Sequence, residues 1–116
     1  MKTNKFDTSV PALREDLRQQ AMALSAKLSR SVGRLTSCDS LPCLEYGEEI
    51  AYQRSLANRL FFLQNCRNAL ERCIPGGTVV LRHRWPDGST SRITFRKLGP
   101  NRVRVTGLTP ALQKAA

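Results

Sequence analysis

Acidic residues are scarce in this chain: nine Asp and Glu stand against nineteen Lys and Arg among 116 residues, a formal net charge of +10. Histidine is scarcer, with His83 alone. A single imidazole and few carboxylates leave no Ser-His-Asp set to assemble, and no G-x-x-x-x-G-K loop is present to cradle a phosphate. The sequence therefore points away from an enzyme. No run approaches the about 20 apolar residues that a membrane span needs, and the opening MKTNKFDTSVPAL has no apolar stretch of the signal-peptide kind. These absences predict a protein without membrane contact, located in the cytoplasm. Internal repeats and low-complexity tracts are also missing.

Four cysteines are present, at positions 38, 43, 66 and 73. The spacings Cys38-x4-Cys43 and Cys66-x6-Cys73 lack the tight pairs of structural zinc sites, and a chain that stays inside the cell keeps its thiols reduced. No metal and no other cofactor is expected. Cys66 and Cys73 instead fit an apolar helical stripe, as small core residues.

Hydrophobic residues make up 41% of the chain and charged residues 24%, a balance that lets one domain of this length bury a modest core. Thr8 and Ser9 are cap-type residues, Pro11 suits a first helical turn, and Leu13, Leu17, Ala21, Leu24, Leu28, Val32 and Leu35 recur at three- and four-residue steps. This predicts an amphipathic helix. Pro42 and its neighbours break the period. A second helix then runs to about Cys73, with Glu48 and Glu49 placed where its N-terminal dipole favours acids. Its apolar set is wide: Leu56, Leu60, Leu63, Leu70 and Ile74 form one stripe, and Phe62, Cys66, Ala69 and Cys73 adjoin it. Two buried sides are implied, one for the first helix and one for a sheet or a second copy of the chain. Homodimerisation through this surface, including Phe61 and Phe62, is one expectation.

After Pro75-Gly76-Gly77 the period changes from helical to two. Turn signals at Pro86-Asp87-Gly88 and Gly99-Pro100-Asn101 divide the segment into three strands. The fold class expected is α+β: an antiparallel two-helix hairpin over about 9–74, packed on a three-stranded antiparallel β-meander over about 78–107, with a tail at 108–116, all in one domain.

If both turns are three-residue loops, Trp85 faces Ser89, Arg82 faces Arg92, Phe95 faces Val105 and Arg96 faces Arg104. One face then carries Val79, Leu81, Ile93, Phe95, Val103 and Val105. The other carries Arg82, Arg84, Arg92, Arg96, Arg102 and Arg104. A one-residue slip would turn the core outward, so the two sets do not mix. Like charges directly opposite each other destabilise a strand pair, which an anionic ligand would offset. Solvation alone is met equally well by lysine and glutamate, whereas guanidinium matches phosphate and carboxylate in a bidentate way. From Gly76 to Ala116 there are eight basic residues and Asp87 alone as an acid, a net +7 of the total +10. The six arginines are thus candidate anion-binding residues. Nucleic acid, DNA or RNA, is the first expected partner, with phosphates supplying affinity. An acidic protein docked by a small regulator or inhibitor is the alternative.

A second cluster, Asp39, Glu45, Glu48 and Glu49, gathers at the expected hairpin tip. The stretch EYGEEIAYQRSLANRLFFLQNCRNALERC and the end RVRVTGLTPALQKAA, with Thr109-Pro110, Leu112 and Ala115, resemble the second hairpin helix and the strand-to-helix passage of the Gre-type transcript-cleavage factors, which enter the secondary channel of bacterial RNA polymerase. The resemblance implies a helical hairpin with an acidic tip at Glu45, Glu48 and Glu49, a small β domain and a role in regulating transcription. The family's tip pattern Gly-Asp-Leu-x-Glu-Asn-Ala-Glu-Tyr is not matched, so no metal-assisted RNA cleavage is implied.

Overall fold

The computed structural model of the chain describes residues 5–37 and 43–107. In chain order the elements are β1 (Lys5–Ser9), α1 (Val10–Ser37), α2 (Cys43–Arg72), β2 (Thr78–Arg84), β3 (Thr90–Lys97) and β4 (Arg102–Thr106). Two helices and an antiparallel sheet make an α+β fold, as the change of period implies. The sheet has four strands in the order β1-β4-β3-β2, one more than expected. The extra strand, β1, is five residues long. Its partner β4 lies almost a whole chain length away, so no adjacent turn announces the pairing.

Ser9 ends β1 and caps α1: its Oγ accepts the Ala12 N–H at 3.2 Å. Pro11 then sits in the first turn, where its missing N–H costs nothing. Leu13, Leu17 and Leu24 are buried, with Ala21 and Leu28 packed beside them. The expected stripe departs at its end, where Val32 is exposed and Ser31 takes the buried position. The Ser31 hydroxyl meets its obligation by donating to Glu49 Oε1, which also accepts from Arg34 Nε at 3.0 Å and Nη2 at 2.6 Å. Near the other end, Arg14 Nε bonds Glu71 Oε1 at 2.7 Å. These two clasps fix α1 antiparallel to α2.

α2 begins at Cys43, five residues before Glu48, so Glu48 and Glu49 lie inside the helix and not at its N-terminal dipole. The two apolar stripes merge into one buried band of Leu56, Phe62, Leu63, Cys66, Ala69, Leu70 and Cys73. Ile74, expected on that band, lies beyond the helix and is 70% exposed. Residues 74 to 77 form instead the turn into β2, closed by Gly77 N–H to Ile74 O at 2.8 Å. One side of the band meets α1. The other meets the sheet, where Ile93, Phe95, Val103 and Val105 are fully buried and Leu81 nearly so. Phe62 is spent in this core, packing edge-on against His83 with centroids 5.1 Å apart. Most of the wide apolar surface of α2 is thus spent on α1 and the sheet, and of the pair Phe61 and Phe62 only Phe61 is exposed.

Both hairpin turns close as three-residue loops. Trp85 N–H donates to Ser89 O at 2.8 Å, Gly88 adopts φ 91°, and Leu98 N–H donates to Arg102 O at 2.9 Å. At the start of β2, Lys97 N–H donates to Gly77 O at 3.0 Å. Antiparallel ladders alternate bonded and non-bonded pairs. Thr78, Val80, Arg82 and Arg84 of β2 consequently turn their backbone groups away from β3, toward an open sheet edge. A 30-residue helix is about 45 Å long and a seven-residue strand about 23 Å, so the hairpin overhangs the sheet.

Candidate nucleic-acid interface

The register brings together the arginines that the alternation singled out. Arg82 pairs with Arg92, and Arg96 with Arg104. By parity Arg84 extends the β2 set and Arg102 opens β4, on the same outward face. Arg82 and Arg92 form a non-bonded pair of the ladder, the kind in which side chains approach most closely. Arg82, Arg84, Arg92, Arg96 and Arg102 are all exposed. None of these five makes an ion pair among the described residues.

The sixth differs. Arg104 Nε and Nη2 bond Asp7 Oδ1 at 2.8 Å and Oδ2 at 3.1 Å, a two-point clasp across β1 and β4. The segment from Gly76 onward offered Asp87 alone as an acid; β1, from outside that segment, lays Asp7 beside Arg104 in register. The Arg104 guanidinium, with Arg102 and Lys5 nearby, holds the Asp7 carboxyl below its usual range, and Asp7 in turn raises Arg104. β1 also contributes Lys5, two residues from Asp7 and on the same face. The signal for both was the short alternation Lys5, Asp7, Ser9 against Phe6 and Thr8, which reads as a strand once the cap at Ser9 is set aside.

Neighbouring strands lie about 4.8 Å apart; along a strand Arg82 and Arg84, and Arg102 and Arg104, are about 6.7 Å apart, whereas Arg92 and Arg96 stand about 13 Å apart with Thr94 between them, so the cations form two groups along the face. Val80, Thr94 and Thr106 fill the row between the pair Arg82 and Arg92 and the pair Arg96 and Arg104, and Thr78 continues the row of Arg96 and Arg104 onto β2. The β-ladder holds these positions rigidly while the long side chains keep rotamer freedom. Such a surface suits an extended polyanion better than one compact ion.

The acidic cluster is placed less coherently. Asp39 lies outside the described residues, and Glu45 lies in α2 with its side chain undescribed. Glu48 is exposed. Glu49 is engaged by Ser31 first and Arg34 second, and both keep its carboxyl below the usual range. It works as a hairpin clasp.

On the inner side of β2, His83 is buried with its Nε2 3.0 Å from Asn58 Oδ1, and burial lowers its pKa. Trp85 donates Nε1–H to Ser91 Oγ at 2.8 Å and packs on His83 and Phe62. Cys66 is fully buried and its thiol is pushed up to about 12 by desolvation. Among the described residues, no group of three His, Cys, Asp or Glu is placed to hold a metal ion, and no helix is long and apolar enough to cross a membrane. No family model, curated protein or solved structure matches the chain.

Proposed function

We propose that the outward face of the sheet binds the phosphate backbone of nucleic acid, making this chain a small, non-enzymatic accessory or regulatory protein. The observation that carries the reading is the set of five exposed arginines, Arg82, Arg84, Arg92, Arg96 and Arg102, gathered on one face without carboxylate partners among the described residues. Their mutual repulsion costs stability in the free protein. Phosphates offset it, and guanidinium forks match phosphate oxygens in pairs. Binding of this kind releases condensed counterions and supplies affinity without reading bases, so it depends steeply on salt and weakly on sequence.

The test is fluorescence anisotropy of labelled duplex DNA, single-stranded DNA and RNA across a salt series, with Arg82→Glu/Arg92→Glu/Arg96→Glu measured alongside and its fold checked by circular dichroism. The reading expects binding that weakens with salt and is lost in the folded triple variant. Absence of binding at low salt would refute it and leave the face to an acidic protein partner, to be sought by cross-linking from Arg92, or to solubility alone.

A further inference from the structure

Where the hairpin overhangs the sheet, the buried band of α2 runs on past the last strand. Leu24, Phe62 and Leu63 form the floor of a groove of ≈ 750 Å³, and the β2–β3 loop with Trp85 forms its end wall. That volume lies in the range of ligand pockets. We infer that this groove receives an unstacked nucleobase with its attached phosphate, so that the nucleic acid held by the arginine face is single-stranded. The inference rests on reading that face as a phosphate surface.

Three observations support this occupant. The first is a fixed aromatic wall. The Trp85 indole is locked by its bond to Ser91 and by the His83 ring at 4.4 Å and 69°, yet it remains half-buried and lines the groove. A preorganised ring of this kind offers a stacking surface to any base, at little entropic cost.

The second is the charge at the rims. Arg54 and Arg59 line the groove and make no ion pair among the described residues. Five residues along a helix are about 140° of rotation, which sets these two guanidiniums on opposite rims of the α2 face that carries Ser55, Asn58 and Phe62. The loop at the end wall carries an acid. Asp87 accepts from Ser89 N at 2.9 Å and Ser89 Oγ at 2.6 Å, bonds that keep it ionised. An anionic group is thereby directed to the helix side, and a base edge with N–H donors to the loop side. A plain acyl chain would use the apolar floor and leave this polarity unanswered. A duplex has its bases stacked inside and cannot enter.

The third is position. Arg84 and Trp85 are consecutive at the end of β2 and project to opposite sides of the sheet, so one strand passing around that end meets both the arginine face and the groove.

Trp85 is the sole tryptophan of the chain, which makes its emission a direct reporter. The full-length protein is titrated with an oligothymidylate of about twenty nucleotides and with a duplex of equal length, following label anisotropy and Trp85 emission together. Expected are at least tenfold tighter binding of the single strand and quenching of Trp85 by it alone. The exposed-site variant Arg54→Ala/Arg59→Ala should lower single-strand affinity to the duplex level and leave duplex binding unchanged. Equal affinities with unperturbed emission, while arginine-face charge reversal still abolishes binding, would overturn the groove assignment and leave the phosphate surface standing. No binding of either probe would remove the phosphate surface itself.

Discussion

Replacing Asp7 with asparagine should make this protein bind nucleic acid more tightly, although the substitution adds no cation. Asn keeps the shape of the side chain and the place of β1 against β4, where Asp7 stands opposite Arg104. It removes the carboxylate that now holds Arg104 by two bonds. The free guanidiniums on the face then rise from five to six. If each meets one phosphate, the log–log salt slope on duplex DNA, which meets this face alone, steepens from about −4.5 to about −5.4, and on single strands it steepens by about 0.7. At 0.1 M salt one added contact is worth roughly eightfold in affinity on duplex and fivefold on single strands. The measurement is anisotropy at pH 7 over a salt series, with a urea melt of the variant to show that it folds. Adding Arg104→Gln to Asp7→Asn should return the slope to its starting value. A folded variant with an unchanged slope, or a gain that survives Arg104→Gln, would refute the argument. Mild acid will not imitate the substitution, because Arg104 holds the Asp7 carboxyl below its usual range.

Stability should also depend on His83. Burial lowers its folded pKa, so the unfolded chain takes up a proton first; stability is complete above about pH 6.5 and declines as pH falls through that value toward the folded pKa. Urea midpoints at pH 7.5 and 5.5 should differ for the parent and differ less for His83→Gln; an equal drop in both would reject the assignment. At Gly88, with φ 91° and open space around it, alanine should cost about 1 kcal/mol from left-handed strain alone. Gly107→Ala should cost more, since its Cβ would lie 2.3 Å from the Arg92 carbonyl oxygen; equal urea midpoints for the two variants would contradict the packing described. Cys66 should resist iodoacetamide at pH 8 in the native protein and react in urea, followed by peptide mass mapping. Rapid native labelling would contradict its burial.

The paired arginines were readable because turn chemistry fixes parity. Once Pro86-Asp87-Gly88 is a three-residue loop, Trp85 must face Ser89, and every alternate residue of β2 and β3 is assigned. α1 was readable from its cap at Ser9 and the leucines that follow. β1 was not, since five residues give only Phe6 as an apolar position and the partner strand is distant in sequence. Asp7 was missed for the same reason: its contact with Arg104 spans 97 positions. Ile74 and Val32 obeyed the helical period and still came out exposed, because burial depends on where the neighbouring element ends, and period says nothing of that. The groove beside Trp85 was hidden from any local reading. It arises from a mismatch in length between helices and strands, and it gathers residues from α1, α2 and the β2–β3 loop.

The open edge of β2 gives the arginines a second consequence. Unpaired N–H and C=O groups along Thr78, Val80, Arg82 and Arg84 are a template for another strand, and charge on the edge is what discourages that pairing. Two such edges brought together would set Arg82 and Arg84 of one copy beside those of the next. On the reading proposed above, a bound polyanion would cancel this guard. Occupancy and self-association would then depend on the same side chains, and copies laid along one strand would lose the repulsion that holds their edges apart.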